Sequence, residues 1–228
     1  MMNSKQLRTK AWESLKGKYW LAFFVVFVIG ILNSIGSGMV SGSQSIINVL
    51  AVIDPAEMDY TMQVGALVVI GIALAICLVG TLISIFVGSP ALVGCCNYFI
   101  KNTDSKPSFK EAFSGFATRY GRNIGTMLLV AIKTVLWAAL FIVPGIIKSF
   151  EYAIIPYILA DDPGISSKDA FKKAKQMMTG NKWRLFKLNF SFIGWILLSA
   201  LTLGIGVFFL MPYMEAANAE FYVELKNK

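Results

Sequence analysis

The chain is expected to be all-α: a polytopic transmembrane helical bundle of about six spans in three pseudo-repeats, each led by a cytoplasmic amphipathic helix. Three observations predict this. Hydrophobic residues make up 56% of the 228 residues and charged residues 15%, against roughly 45–50% and 25% in soluble domains. Apolar stretches long enough to span a bilayer recur along the chain, each needing about 20 residues. The Lys and Arg residues, 21 against 13 acids for a net charge of +8, sit between those stretches. Positive charge collects in cytoplasmic loops, so the basic excess reads as a membrane-facing feature and not as a nucleic-acid surface. An ordinary soluble enzyme, a disordered chain and a disulfide scaffold are all excluded. The chain is one integral membrane domain, 1–228, with repeats at about 1–101, 102–161 and 162–228.

The first apolar run, 20–35, follows Lys5, Arg8, Lys10, Lys16 and Lys18. A signal peptide has similar features, but several spans follow, so this is read as a retained helix. The stretch 37–63 carries Asp54, Glu57 and Asp59 with no Lys or Arg and is expected to be an external loop. Residues 64–100 contain no charge and would form a helix of about 55 Å, too long for a hydrocarbon core of about 30 Å. A kink at Gly88-Ser89-Pro90 is therefore expected, with the span at 64–88 and 90–100 continuing into the interface.

The stretch 124–160 is broken at Val143-Pro144-Gly145. The flanking segments both carry lysines and arginines, so the positive-inside rule favours a hairpin at Pro144 and Gly145. The fourth span, 145–160, is then only about 24 Å long, and tilt or local thinning is expected. The same reasoning puts a hairpin at Gly204 and Gly206, with Pro212 in the last span, and leaves both termini in the cytoplasm.

Ser108-Phe109-Lys110-Glu111-Ala112-Phe113 reappears at 166–171 as Ser-Ser-Lys-Asp-Ala-Phe. Both are S-x-x-[DE] helix starts. An N-terminal copy offers Leu7, Ala11 and Leu15, and Ala11, Gly17 and Trp20 are spaced like Ala174, Gly180 and Trp183. Trp20 and Trp183 stand where apolar spans begin, as interfacial anchors do. Pro90 precedes Tyr98 as Pro144 precedes Tyr152. Three such helices suit either a lipid-facing collar or simple lead-ins to the spans.

Ionisable residues inside spans are costly and face the bundle interior. Lys133, Lys148, Glu151 and Glu215 are the candidates, with Asn97, Asn189, Ser191, Asn218 and Glu220 as further polar positions. In one reading they form a site for a proton, ion or headgroup. In the other, one buried ion pair, Lys133 with Glu151, fixes helix register. Asp161-Asp162 before Pro163-Gly164 reads more simply as turn and cap than as a metal or phosphate site. Cys77, Cys95 and Cys96 have no second cluster, and His is absent, so no metal centre, disulfide or cofactor is expected. No catalytic motif occurs.

Several segments carry a family resemblance. They are Leu136-Trp137, Phe141-Ile142-Val143-Pro144-Gly145-Ile146-Ile147-Lys148, Tyr157-Ile158-Leu159-Ala160, Met178-Thr179-Gly180-Asn181-Lys182, Phe192-Ile193-Gly194-Trp195 and Pro212-Tyr213. Together they resemble the bacterial integral membrane family known as domain of unknown function 975. The resemblance implies a six-span inner-membrane protein without an established activity, and it supplies no catalytic residues. A looser similarity to membrane domains attached to some glycerophosphodiester phosphodiesterases motivates a lipid hypothesis. The expected function is a non-enzymatic, lipid-interacting scaffold or accessory protein. Its partners are then anionic headgroups at the cytoplasmic face and an unidentified membrane protein, with no nucleic acid. The alternatives are a small permease using the intramembrane Lys and Glu residues, and a membrane-embedded lipid enzyme.

Overall fold

The computed structural model describes residues 2–53, 59–117 and 119–228, and every regular element among them is helical. Four helical stretches are long and apolar enough to cross a membrane: Tyr19–Ala51, Tyr60–Asp104, Tyr120–Leu140 and Ile142–Asp161. The chain separates into two compact units, Gly30–Ser89 and a second made of Met1–Ile29 with Pro90–Lys228.

Helix α1 (Ser4–Leu15) starts at a capping box between Asn3 and Gln6 and buries Leu7, Ala11 and Leu15. Gly17, at φ 73°, turns the chain into α2 (Tyr19–Ala51). The expected loop over 37–63 is mostly helix. Its serines do not break α2 because their hydroxyls bond carbonyls three or four residues back. Ser34 donates to Ile31 O at 2.8 Å, Ser37 to Asn33 O at 3.0 Å, Ser45 to Ser41 O at 3.0 Å, and Ser43 to Met39 O. Helix α2 runs on to Ala51, and Asp54 and Glu57 of the expected loop lie outside the described residues. Asp59 caps α3 (Tyr60–Ile83) by accepting from Met62 N at 2.7 Å.

Within Gly30–Ser89, α2 and α3 cross through glycines. A Cβ on Gly80 would stand 2.7 Å from Met39 Cβ and 2.8 Å from Gly36 O. A five-residue π turn, Ser84–Gly88, leads into α4 (Ser89–Asp104). The π register absorbs the N–H that Pro90 lacks, so the helix continues through the expected kink. Helix α4 is core: Ala91, Val93, Cys95, Cys96, Tyr98 and Phe99 are buried.

The second lead-in is a 3₁₀ turn, Phe109–Phe113, followed by the short α5 (Ser114–Ala117). Ser108 makes no side-chain cap here. Glu111 is drawn away instead, to Lys101 at 2.7 Å and Asn97 at 3.1 Å. Helix α6 (Tyr120–Leu140) ends at Phe141, whose extended backbone (φ −156°, ψ 135°) reverses the chain into α7 (Ile142–Tyr152). The hairpin therefore turns at Phe141 and not at Pro144-Gly145. Pro144 falls in the first turn of α7, where a missing N–H costs nothing, and Gly145 packs on Ala138 so closely that a Cβ there would stand 2.7 Å from the Ala138 Cα. After a break at Ala153-Ile154, α8 (Ile155–Asp161) completes the span. Ile142–Asp161 has 20 residues, about 30 Å, so the expected shortfall disappears.

Helix α9 (Ser167–Met178) is capped by Ser166, which accepts from Asp169 N at 3.1 Å, and it buries Ala170, Ala174 and Met178. Gly180, at φ 76°, turns into α10 (Lys182–Phe190), which is separated by Ser191-Phe192 from α11 (Ile193–Ala200). Leu203 (φ 52°) and Gly204 (φ 83°) then turn into α12 (Ile205–Lys226), which contains Pro212. Gly206 packs on Ser199, and a Cβ added to it would stand 2.7 Å from the Ser199 Oγ. The fifth expected span is interrupted, and Glu215, Asn218, Glu220 and Glu224 dilute the sixth. Neither is among the four apolar stretches for that reason.

In the larger unit each lead-in packs on a span end from elsewhere in the chain. Helix α1 lies along α12, with Lys10 on Glu220 at 2.9 Å. The 109–117 segment lies on α4, where Asn97 donates to Ser114 Oγ at 2.8 Å. Helix α9 lies on α7 and α8, with Phe171 edge-on to Tyr152, 5.3 Å between centroids.

Candidate functional site

The polar residues singled out inside the spans do not form one site. The structure brings Lys148 and Glu151 together, adds Lys182, and places Lys133 and Glu215 in other surroundings. Lys148 and Glu151 are one turn apart on α7 and meet at 2.9 Å; Lys182, first residue of α10, takes the other carboxylate oxygen at 2.5 Å. Glu151 is 5% exposed and the two lysines 24% and 29%. The expected Lys133–Glu151 pair is replaced: the Lys133 ammonium sits 3.7 Å from the centroid of the Phe171 ring, a cation–π contact. The physical reason is the α6–α7 turn at Phe141 and the docking of α9, which puts an aromatic face in front of Lys133 while the start of α10 reaches Glu151.

Glu215, on α12, accepts from the Tyr157 hydroxyl of α8 at 3.0 Å. Cys96, Asn189 and Asn218 line a cavity beside it of about 170 Å³. The next acids along α12 have cations: Glu220 has Lys10 at 2.9 Å, and Glu224 has Arg184 at 2.7 Å. Among the described residues no Lys or Arg pairs with Glu215. No group of three His, Cys, Asp or Glu side chains converges among them either.

Asp161 and Asp162 act locally. Asp161 accepts from Lys226 at 2.6 Å and from the Tyr222 hydroxyl at 3.0 Å, and Asp162 accepts from Gly164 N at 2.9 Å. Arg122 donates to the carbonyls of Leu159, Asp162 and Ile165 and so ties the start of α6 to the end of α8. Lys18 donates to the carbonyls of Ser105 and Asn102 at 2.6 and 3.5 Å. Burial, and then the neighbouring Lys106, lower its pKa.

Trp20 and Trp183 are 64% and 61% exposed. Trp183 stacks on Phe186 at 4.8 Å between centroids, with the Lys187 ammonium 5.8 Å from its ring. A larger apolar cavity, about 530 Å³, opens between Trp12, Tyr19, Trp195, Phe209 and Tyr213.

Lys182 and Tyr157 do not stand out as site residues in the sequence: Lys182 follows Gly180 by two residues among the charges of a basic segment, and Tyr157 follows Pro156 in the first turn of α8. Lys182 opens a helix after Gly180 and so reaches back to a span; counted as loop charge, it had no intramembrane role. Asn218, by contrast, is legible as one turn from Glu215.

Helices of this length and hydropathy define an all-helical membrane protein. Residues 140–228 match the model of the family described as Protein of unknown function (DUF975). No curated protein and no solved structure matches the chain.

Proposed function

We propose that this is a non-enzymatic, six-span protein of the bacterial cytoplasmic membrane, with both termini in the cytoplasm. It holds anionic lipid headgroups along its basic end as a scaffold or accessory protein. The observation that carries this reading is α9. Its Ala170, Ala174 and Met178 face is buried, while Lys168, Lys172 and Lys175, spaced along the opposite face, are exposed. A stripe of lysines fixed in this way, with the exposed Trp183 just beyond it, suits a bilayer surface of phosphates.

The likeness of the first and third lead-ins supports the reading. Helices α1 and α9, Gly17 and Gly180, and the starts of α2 and α10 are all offset by the same 163 residues. The packing of each lead-in on a span end, α1 on α12, 109–117 on α4 and α9 on α7–α8, supports a collar whose basic segments lie at one membrane surface. Glu151 with its two lysines then serves as a structural clamp between α7 and α10.

The test is native mass spectrometry after gentle extraction into nanodiscs of mixed phosphatidylglycerol and phosphatidylcholine. The wild type should retain phosphatidylglycerol preferentially. Since a lysine near an anionic surface contributes about 1 kcal/mol, Lys168→Gln with Lys172→Gln and Lys175→Gln should cut that preference at least tenfold. An unchanged ratio of the two lipids contradicts the proposal.

A further inference from the structure

The geometry points to a binding site for an alkali-metal cation in the cavity between α4, α8, α10 and α12, with Glu215 as its charged ligand. Four observations converge there. Glu215 has a hydroxyl, Tyr157, and no cation among the described residues, whereas Glu220 and Glu224 on the same helix have Lys10 and Arg184. A carboxylate out of bulk water needs a compensating positive charge or a proton.

Asn218, one turn further along α12, lines the same cavity, and its Oδ1 is buried without a hydrogen-bond donor. The amide oxygen is thus an unused acceptor beside an unbalanced carboxylate. The span Ile142–Asp161 is also discontinuous at this level: α7 ends at Tyr152, α8 begins at Ile155, and Ala153, Ile154 and Pro156 line the cavity. Pro156 brings no N–H to the carbonyl four residues back, and the carbonyl ends of a helix carry partial negative charge. Finally Asn189, in the last turn of α10, lines the same cavity and brings a second side-chain amide to it.

Carboxylate, amide oxygen and broken-helix carbonyls are hard oxygen donors, and interrupted membrane helices use such carbonyl ends to hold monovalent ions. One carboxylate matches a single positive charge. Calcium sites draw six to eight oxygens and commonly more than one carboxylate, and among the described residues no cluster suits a transition metal. The cavity of about 170 Å³ accepts an alkali ion with water, a water occupying about 30 Å³.

The experiment compares thermal midpoints of the detergent-purified protein in lithium, sodium, potassium and choline chloride at one ionic strength, alongside binding of ²²Na⁺ and ⁸⁶Rb⁺ tracers. The inference expects at least one alkali ion to raise the midpoint by about 3 °C over choline at saturation, with saturable tracer binding. Glu215→Gln should abolish both effects, and Asn218→Ala should weaken tracer affinity at least tenfold. If Glu215→Gln fails to fold, Asn218→Ala decides alone, and unchanged affinity in it overturns the site. Equal midpoints in all four salts with no saturable tracer overturn it as well. A midpoint that follows pH but not cation identity does the same, since Glu215 is then balanced by a proton.

Discussion

Replacing Glu151 with leucine is expected to destabilise the purified protein by about 3 kcal/mol, measured by reversible unfolding in mixed micelles. Both carboxylate oxygens are in use, by Lys148 at 2.9 Å and Lys182 at 2.5 Å. Removal leaves two ammonium groups that converged on a buried point without the charge that held them there. The lysines are about a quarter exposed and can swing outward, which puts the cost at the low end of the 3–5 kcal/mol range for broken buried pairs. A double-mutant cycle separates this clamp from the Lys133 pairing expected from sequence. Glu151→Gln with Lys182→Met should show a coupling of about 1 kcal/mol or more, and Glu151→Gln with Lys133→Met a coupling below about 0.5 kcal/mol. The reverse order would mean that Lys133 is the true partner. Lys133→Met alone should cost about 1 kcal/mol, the scale of its contact with Phe171.

A second large effect is expected at Gly94. A Cβ there would run into the backbone carbonyl of Ala112, and one on Gly115 into that of Pro90. In both cases the obstacle is main chain, which no rotamer change can move aside. Gly94→Val should therefore cost about 3 kcal/mol or more and lower the yield of monodisperse protein. Gly125, also in a helix, has nothing within 4 Å of its Cβ position. Gly125→Ala should be neutral or stabilising by up to about 1 kcal/mol, because alanine loses less backbone entropy in a helix. If the two substitutions have similar effects, the close approach of α4 to the 109–117 segment is not what holds this part together.

Charge and apolar length alone place the helices at 60–104, 120–140 and 142–161 within a few residues, and the S-x-x-D pattern locates the start of α9. These features are local: a capping serine, a run without charge, a basic flank. What stays hidden depends on partners distant in sequence. The serines at 34–45 look like loop composition, yet in α2 their hydroxyls bond their own helix. The Ser108 motif is as good a cap as Ser166 on paper. It fails because Lys101 and Asn97, on another helix, compete for Glu111. A hairpin at Pro144 and Gly145 suits a Lys133–Glu151 pair, but the chain turns three residues before Pro144, at Phe141, and α9 and α10 then decide which cation faces the acid. At the candidate site the acids were legible as ionisable residues in apolar runs. Their sorting into a clamp at Glu151 and, at Glu215, an acid without a cation among the described residues follows from the docking of α10 and α12.

On the proposed topology the basic segments share one side of a membrane, and the turns at 52, 141 and 203 reach the other. Ser43, a loop position on paper, is buried in α2 and cannot report this. Val52, Phe141 and Leu203 are exposed at the turns, as are Lys168 and Lys228 on the basic side. Single cysteines at these positions, in a chain with Cys77, Cys95 and Cys96 replaced by serine, can be probed in intact spheroplasts with a membrane-impermeant maleimide. Val52→Cys, Phe141→Cys and Leu203→Cys should label at once, and Lys168→Cys and Lys228→Cys only after permeabilisation. Labelling of Lys168→Cys from outside, or protection of Leu203→Cys until the membrane is opened, would contradict the six-span arrangement.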